Sequence, residues 1–197
     1  MSFALYLSMS SFALAASISP GPVNVLALTS GVHHGFRASL AHVTGATVGF
    51  TALLLLSGFG LAELLQRWPA AEAATRWAGV AFLVYMAWRL WSADGGVAAG
   101  GAARAPTAWQ GAALQWLNPK AWIAALAGMG AYAGGGGAEL IWSFAALYFV
   151  ICYGSIAAWA YAGACLRHVL EDPARMRLFN RSMSVLLAAS AAYMATQ

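Results

Sequence analysis

Two short motifs in this chain combine helix-capping residues with proline inside apolar segments. The first motif is Ser19-Pro20-Gly21-Pro22, and the second is Asn118-Pro119-Lys120. Serine and asparagine are favoured helix N-caps, and proline is favoured at the first helical position, where its missing N–H is not needed. Each motif therefore predicts that a helix starts again in the middle of an apolar run.

The prolines of these motifs also leave backbone carbonyl groups without their usual helical donors. A proline cannot donate a hydrogen bond to the carbonyl four residues earlier in a helix. The carbonyls affected belong to Ala16, Ile18 and Gln115. Non-helical backbone at membrane depth survives only where it is buried in protein or lines a wet cavity. We therefore expect both motifs to face one shared interior site.

A carboxylate is the ligand that this pair of motifs predicts. A helix N-terminus carries roughly half a positive charge, and Lys120 adds a full charge in the first helical turn, where it is unfavourable unless an anion is present. Polar side chains nearby are candidates to hydrogen-bond a substrate amino group, and the carbonyls released by the prolines are an alternative. The candidate substrate-binding residues are Ser19, Pro20, Gly21, Pro22, Asn24, Thr44, Asn118, Pro119 and Lys120, with Thr47 as a further donor.

The composition of the chain indicates that it folds in lipid. Of its 197 residues, 61% are hydrophobic and 8% are charged, whereas a soluble domain normally carries about a quarter charged residues. The mean hydropathy of +0.69 agrees with this. We therefore predict an all-α integral membrane protein. The net charge of +4 then indicates basic cytoplasmic loops, and no nucleic-acid partner is needed to explain it.

Apolar runs of roughly 18 or more residues predict about six transmembrane helices. The predicted spans are Phe3–Thr29, Ala38–Leu65, Ala73–Trp91, Trp109–Ala133, Leu140–Leu166 and Leu178–Ala195. They form one transmembrane domain over residues 1–197, with halves at about 1–95 and 105–197. Because each half has three spans, the halves must insert with opposite topology. This predicts a 3+3 inverted repeat in which helices 1 and 4 are interrupted.

A simpler interpretation of the two motifs stays open. Pro20 and Pro119 then only kink their helices, or Asn118 starts the fourth span at the membrane interface with residues 109–117 outside it. Two cap-and-proline motifs in corresponding spans favour the interrupted helices over a kink.

The basic residues predict the orientation of the chain, because cytoplasmic loops are enriched in lysine and arginine. The opposite side contains Arg67 and Arg76. The loops after the first, third and fifth spans contain Arg37, Arg89, Arg104, Arg167, Arg175 and Arg177. Both termini are therefore predicted to lie outside.

Taken together, the motifs and glycines resemble the lysine-exporter (LysE/RhtB) family of amino-acid exporters over nearly the whole chain. Besides the two motifs, the resemblance is carried by Gly31, Gly35, Arg37, Gly45, Gly49, the segment Gly79 to Trp88 with Tyr85, and Gly111. It implies a six-helix secondary transporter of the bacterial inner membrane that expels amino acids or related small solutes. It also implies coupling to protons or to the membrane potential, without a cofactor.

The sequence refines this expectation in two ways. No Asp or Glu lies deep in a predicted span to pair with a cationic side chain, so neutral amino acids are favoured as substrates. His42, five residues into the second span, is the candidate for proton coupling, with an interface histidine as the alternative. Intramembrane aromatics either line a substrate pocket or pack the core; they are Trp116, Trp122, Tyr148, Tyr153 and Trp159.

Two other functions compete with amino-acid export. Export of a divalent metal rests on His33, His34 and His42, although such ions want carboxylates or several convergent imidazoles. An intramembrane enzyme is less favoured, because Ser155 has no evident histidine partner. We therefore expect no enzyme and no resident metal. A homodimer stays open, because six short helices enclose little volume.

Overall fold

The computed structural model describes residues 2–60, 69–93, 105–133 and 137–196, and all of the regular structure in these ranges is α-helical. The side chains of residues 69–72 and 75 are not described. The helices are α1 (Phe3–Ile18), α2 (Pro22–His34), α3 (Phe36–Gly58), α4 (Pro69–Trp91), α5 (Ala108–Trp116), α6 (Pro119–Tyr132), α7 (Ala138–Leu166) and α8 (Pro173–Ala195).

The first predicted span is interrupted, as its motif indicates. Helix α1 ends at Ile18 and α2 begins at Pro22, and the axes of the two helices are bent by 60°. The capping residues differ from the prediction: Ser19 is the C-cap of α1, and the N-cap of α2 is Gly21 with Pro22 following it. Ser19 does not cap α2, because Pro20 and the extended Gly21 separate it from the first turn of that helix.

The second interruption follows its prediction more closely. Helix α5 ends at Trp116 and α6 begins at Pro119. Asn118 is the N-cap of α6, and its side-chain oxygen accepts a hydrogen bond of 3.1 Å from the backbone N–H of Lys120. Helix α5 packs along α3 and has Gly111, Leu114 and Gln115 buried, so it belongs to the bundle. Residues 109–117 therefore do not lie outside the bundle.

The helices that cross the membrane can be recognised by length and hydropathy. Among the described residues, α3 and α7 are each long and apolar enough to span a bilayer, and α1 with α2 meets the same test as one bent pair. Helices α4 and α8 have 23 residues each, which is about 34 Å of helix. The all-α membrane fold is confirmed. The count of six spans and the 3+3 repeat stay predictions.

Glycines bring the backbones of neighbouring helices into direct contact along two seams. A Cβ at Gly31 of α2 would collide with the Ala160 carbonyl oxygen of α7, and one at Gly163 would collide with the Leu28 carbonyl oxygen. Between α3 and α5, a Cβ at Gly45 would collide with the Ala108 carbonyl oxygen. Close helix packing of this kind needs small residues at the contact. Gly31, Gly45 and Gly163 therefore serve helix packing.

The first helix connection is shorter than the sequence indicated. The predicted first span ends at Thr29, but α2 continues to His34, because Gly31 lies in the seam with α7. The turn is made by Gly35 alone, whose φ of +80° is a backbone conformation that few other residues adopt.

The last helix begins at Pro173, five residues before the predicted Leu178. Asp172 caps this helix by accepting a hydrogen bond of 2.8 Å from Ala174 N–H.

Helices α4 and α8 form a pair that packs mainly with each other. The Ser184 hydroxyl of α8 donates a hydrogen bond of 2.7 Å to the Ala87 carbonyl of α4. At Gly79, a Cβ would collide with the Leu117 carbonyl oxygen and with the side chain of Met194. The pair therefore rests against the second interruption of the chain.

We expect Gly45→Ala to lower the stability of the bundle. The added methyl group would overlap the Ala108 carbonyl, and overpacking of this kind costs about 1–3 kcal/mol. The measurement is the thermal unfolding of purified protein in detergent. The matched control is Gly154→Ala on α7, because a Cβ at Gly154 meets no atom within 4 Å. Equal unfolding temperatures of the two variants would contradict the packing described for Gly45.

Candidate functional site

One lysine side chain joins the two interruptions of the chain. The ammonium group of Lys120, at the start of α6, donates a hydrogen bond of 2.6 Å to the Ser19 carbonyl and one of 3.3 Å to the Pro20 carbonyl. Lys120 is also the only lysine in the chain. The two motifs singled out in the sequence are therefore brought together, although 100 residues separate Pro20 from Lys120.

Two further side chains donate hydrogen bonds to carbonyls at the first interruption. The side-chain amide of Asn24 donates to the Ser17 carbonyl at 2.9 Å and to the Ser19 carbonyl at 2.7 Å. The indole N–H of Trp159 on α7 donates to the Ile18 carbonyl at 3.0 Å. These donors replace the helical N–H groups that the chain lacks after Ile18.

The carbonyls released by the prolines are thus already paired within the protein. Ala16 accepts a hydrogen bond of 3.2 Å from the Ser19 hydroxyl, and Gln115 accepts one of 3.2 Å from the backbone N–H of Asn118. With Ile18 bonded to Trp159, all three predicted carbonyls have a donor. The expectation that they are free to bind a substrate ammonium group does not hold in this conformation.

A small cavity lies beside the Lys120 side chain, between α1, α2, α6 and α7. Its volume is about 40 Å³. Its polar lining consists of Ser17, Asn24, Gln115, Asn118, Lys120, Tyr148 and Cys152. We call it the inner cavity. Because small-molecule pockets usually measure about 300–1,000 Å³, a whole amino acid does not fit while Lys120 is in this position.

A larger crevice lies on the other side of the same contact, against the α4–α8 pair. Its volume is about 480 Å³, and apolar side chains such as Leu83, Ile123 and Leu186 form most of its wall. Gly21, Asn118 and Lys120 line both the inner cavity and this apolar crevice. A Cβ at Gly21 would lie 3.2 Å from the ammonium nitrogen of Lys120. The Gly21–Lys120 contact therefore separates the two spaces.

Most of the predicted binding residues surround this contact, but Thr44 does not. Pro20, Pro22 and Pro119 line the crevice, and Ser19 contributes its carbonyl to Lys120. Thr44 is exposed on the outer face of α3. The contact of Gly45 with α5 fixes the rotation of the helix, so that the adjacent Thr44 points away from the bundle. Thr47 is buried, and its hydroxyl donates to the Val43 carbonyl of its own helix at 2.9 Å.

His42 is enclosed by protein. Its side chain is 1% exposed, and neither ring nitrogen has a hydrogen-bond partner among the described residues. Both interpretations of His42, proton coupling and an interface histidine, stay predictions. His42 does not line the inner cavity or the crevice.

The aromatic residues proposed for a pocket have different roles. Tyr148 lines the inner cavity. Trp159 and Trp122 instead donate their indole N–H groups to backbone carbonyls, the latter to Trp116 at 2.8 Å. Tyr153 stacks on Phe149 at a centroid distance of 6.4 Å. Only Tyr148 of this set is therefore both buried and in contact with the inner cavity.

Residues 14–197 match the family model described as LysE type translocator. The chain belongs to this family. It is 28% identical over 189 residues to cysteine/O-acetylserine efflux proteins of Escherichia coli (strain K12) and Shigella flexneri, which covers 94% of this chain and 93% of each relative. No solved structure matches the chain.

Membership of the LysE type translocator family indicates a membrane transport protein rather than an enzyme. In the described parts of the chain, no three His, Cys, Asp or Glu residues come together in a way that would hold a metal ion. His33 instead bonds Asn180 of α8 at 2.9 Å, while His42 is buried in α3. Nothing in this arrangement favours the alternative of metal export.

Sequence reasoning missed the side chains of Ser17 and Gln115, and it named Trp159 only as a pocket or core aromatic, not as a hydrogen-bond donor. Ser17 and Gln115 lie two and three residues before the motifs, so their polarity next to a predicted break was an available signal. Trp159 lies 141 residues from its acceptor, and no local pattern identifies it.

We expect Asn24→Leu to destabilise the first interruption by about 1–3 kcal/mol, because the Ser17 carbonyl then loses its donor in a buried setting. Thermal unfolding in detergent measures the change. Thr29→Val is the matched control on α2, since that hydroxyl bonds only to the Val25 carbonyl of its own helix. An Asn24→Leu variant as stable as Thr29→Val would contradict the role of Asn24.

Proposed function

We propose that this LysE type translocator is a secondary transporter that exports small neutral amino acids across a bacterial inner membrane. The substrate carboxylate binds to Lys120 and to the N-termini of α2 and α6. The observation that carries the proposal is the hydrogen bonding of the Lys120 ammonium to the Ser19 and Pro20 carbonyls at the first interruption.

The N-terminus of α2 supports a carboxylate at this position. Its N-cap is Gly21, which has no side chain to cap the helix, and Pro22 provides no N–H. The N–H groups of the first turn are thus available to an anion beside the Lys120 ammonium. Helix N-termini and ammonium groups both favour negative charge. A carboxylate that displaces the two carbonyls from Lys120 would gain a full opposite charge.

The nature of the lining supports a neutral side chain. Neither the inner cavity nor the apolar crevice has an Asp or Glu among its described lining residues, so a cationic side chain would have no partner there. Relatives of this chain are named as cysteine/O-acetylserine efflux proteins. Cysteine and O-acetylserine are both small amino acids without a cationic side chain, which agrees with the lining.

The small volume of the inner cavity supports a transport cycle in which the interruptions move apart. A volume of about 40 Å³ is too small for a whole amino acid, so the cavity has to widen before it can hold one. The proposed 3+3 inverted repeat provides such a movement, because it lets one half rock against the other around a fixed site. Contacts of α1 and α2 with α7, and of α5 and α6 with α3, agree with a pairing of spans one with five and four with two.

Protons are the proposed coupling ion, and His42 is the proposed carrier. Ionisable groups inside membrane proteins are functional by default, and histidine changes charge near neutral pH. A buried imidazole with two unpartnered nitrogens can accept a proton when the bundle opens. The exterior position of both termini and the formation of homodimers remain parts of the proposal that rest on the sequence.

We expect Lys120→Met to lower amino-acid transport about 10- to 100-fold, because a hydrogen bond to a charged group is lost. The fold should survive, since the Ser19 carbonyl keeps its hydrogen bond from Asn24. The measurement is uptake of a panel of labelled amino acids into inside-out vesicles at matched expression.

The control for this substitution is Arg177→Gln, which also removes one positive charge, but from the exposed start of α8. It should transport as the unaltered protein does. Normal uptake by Lys120→Met would contradict the proposed carboxylate site. No saturable uptake of any amino acid by folded, unaltered protein would contradict the proposed function itself.

For His42→Gln, we expect uptake driven by a pH gradient to fall while exchange of internal for external amino acid continues. Glutamine keeps hydrogen-bonding capacity but cannot carry a proton. Both modes are measured in the same vesicles, and Thr47→Val on the same buried face of α3 serves as the control. If both modes fall together, His42 has a structural role and not a coupling role.

A further inference from the structure

The hydroxyl of Ser17 is a buried polar group without a partner. Ser17 lies in the last turn of α1, it is 8% exposed, and its Oγ has no hydrogen bond to any described residue. It also lines the inner cavity together with Lys120. A polar group left unpaired in a buried place costs free energy, so such a group calls for an explanation.

Other serines in the same helix show how this cost is normally avoided. Ser10 donates its hydroxyl to the Tyr6 carbonyl at 2.7 Å, and Ser11 donates to the Leu7 carbonyl at 2.9 Å. Both bonds reach back four residues, as helical serines commonly do. Ser17 forms no such bond with Ala13. Its hydroxyl is therefore free to meet a group that enters the cavity.

Neutral groups surround the Ser17 hydroxyl within the cavity. The Tyr148 hydroxyl and the Cys152 thiol lie close enough to interact weakly with it, although neither contact has the geometry of a full hydrogen bond. No charged side chain other than Lys120 lines this space. The surroundings of Ser17 therefore suit an uncharged hydroxyl or thiol group better than an ammonium group or a purely apolar side chain.

An aromatic cluster closes the cavity behind Tyr148. The Tyr148 ring lies 4.6 Å from Phe50, 5.6 Å from Phe144 and 6.5 Å from Phe12, measured between ring centroids. Both Tyr148 and Phe144 are among the most deeply buried large side chains. Because packed aromatic clusters deform little, the cavity cannot widen on this side, and the side chain of a substrate must be short.

We propose that Ser17 determines specificity by hydrogen-bonding the side-chain hydroxyl or thiol of a short polar amino acid, such as serine or cysteine. The inference rests on the proposed function, because it takes the carboxylate of that amino acid to be held by Lys120. A site that hydrogen-bonds a substrate hydroxyl discriminates against an analogue without it, because the polar group of the site is then left unpaired.

The test compares two substrates that differ only in this group. In 2-aminobutyrate, a methyl group replaces the hydroxyl of serine. We expect unaltered protein in inside-out vesicles to take up labelled serine with about five- to tenfold lower half-saturating concentration than 2-aminobutyrate. In Ser17→Ala, the serine advantage should fall to about twofold or less, with uptake of 2-aminobutyrate retained.

The matched control is Ser57→Ala on α3. Ser57 is also 8% exposed, and its hydroxyl is likewise unpartnered among the described residues, but it lines neither the inner cavity nor the crevice. This variant should keep the full preference for serine. The ratio of the half-saturating concentrations of the two substrates is measured within each variant, so differences in expression between variants cancel.

Three results would overturn the inference. The first is equal half-saturating concentrations of the two substrates in the unaltered protein. This result needs no variant, so it would count even if Ser17→Ala failed to fold. An unchanged ratio in a transporting Ser17→Ala protein would also overturn the inference, as would an equal loss of the ratio in Ser57→Ala. Absence of all amino-acid uptake by folded, unaltered protein would instead contradict the proposed function, and the inference with it.

Discussion

Backbone carbonyl groups at membrane depth must find hydrogen-bond donors, because no water in the hydrocarbon region supplies them. The interruptions after Ile18 and Trp116 remove the helical donors of both segments. Three side chains from other positions replace them at the first interruption: Asn24, Lys120 and Trp159. These bonds connect α1 to α2, α6 and α7. A break that would be costly in a single helix thus becomes the junction of four helices.

The same requirement explains how the ammonium group of Lys120 is accommodated at the first interruption. A charged ammonium group buried without a partner is costly, and the Ser19 and Pro20 carbonyls provide that partner. In the proposed site, a carboxylate would compete with them, so part of its attraction to Lys120 would be offset by the two hydrogen bonds that are broken. This exchange would limit the affinity for substrate. A transporter benefits from such a limit, because substrate must also be released on the other side.

The sequence was sufficient to predict features that depend on local chemistry, and it failed where tertiary packing decides. Both interruptions were predictable, because prolines and capping residues act within one helical turn. The direction of Thr44 was not predictable from α3 alone, since the seam between Gly45 and Ala108 sets the rotation of that helix. The predicted first span ended before Gly31, because the contact of that residue, Ala160, lies on a distant helix. The pairing of Ile18 with Trp159 depends on the same arrangement of α1 against α7.

The packing seams also indicate which contact is able to move in the proposed cycle. In the seam of α2 with α7 and in that of α3 with α5, backbone touches backbone at glycine, so sliding would force carbonyl groups into Cα atoms. Lys120 crosses from α6 to the first interruption by a flexible side chain and two hydrogen bonds. Breaking those bonds costs far less than breaking a seam. The boundary between the inner cavity and the apolar crevice is therefore the contact best suited to open, and it is held by the residue that the substrate carboxylate would bind.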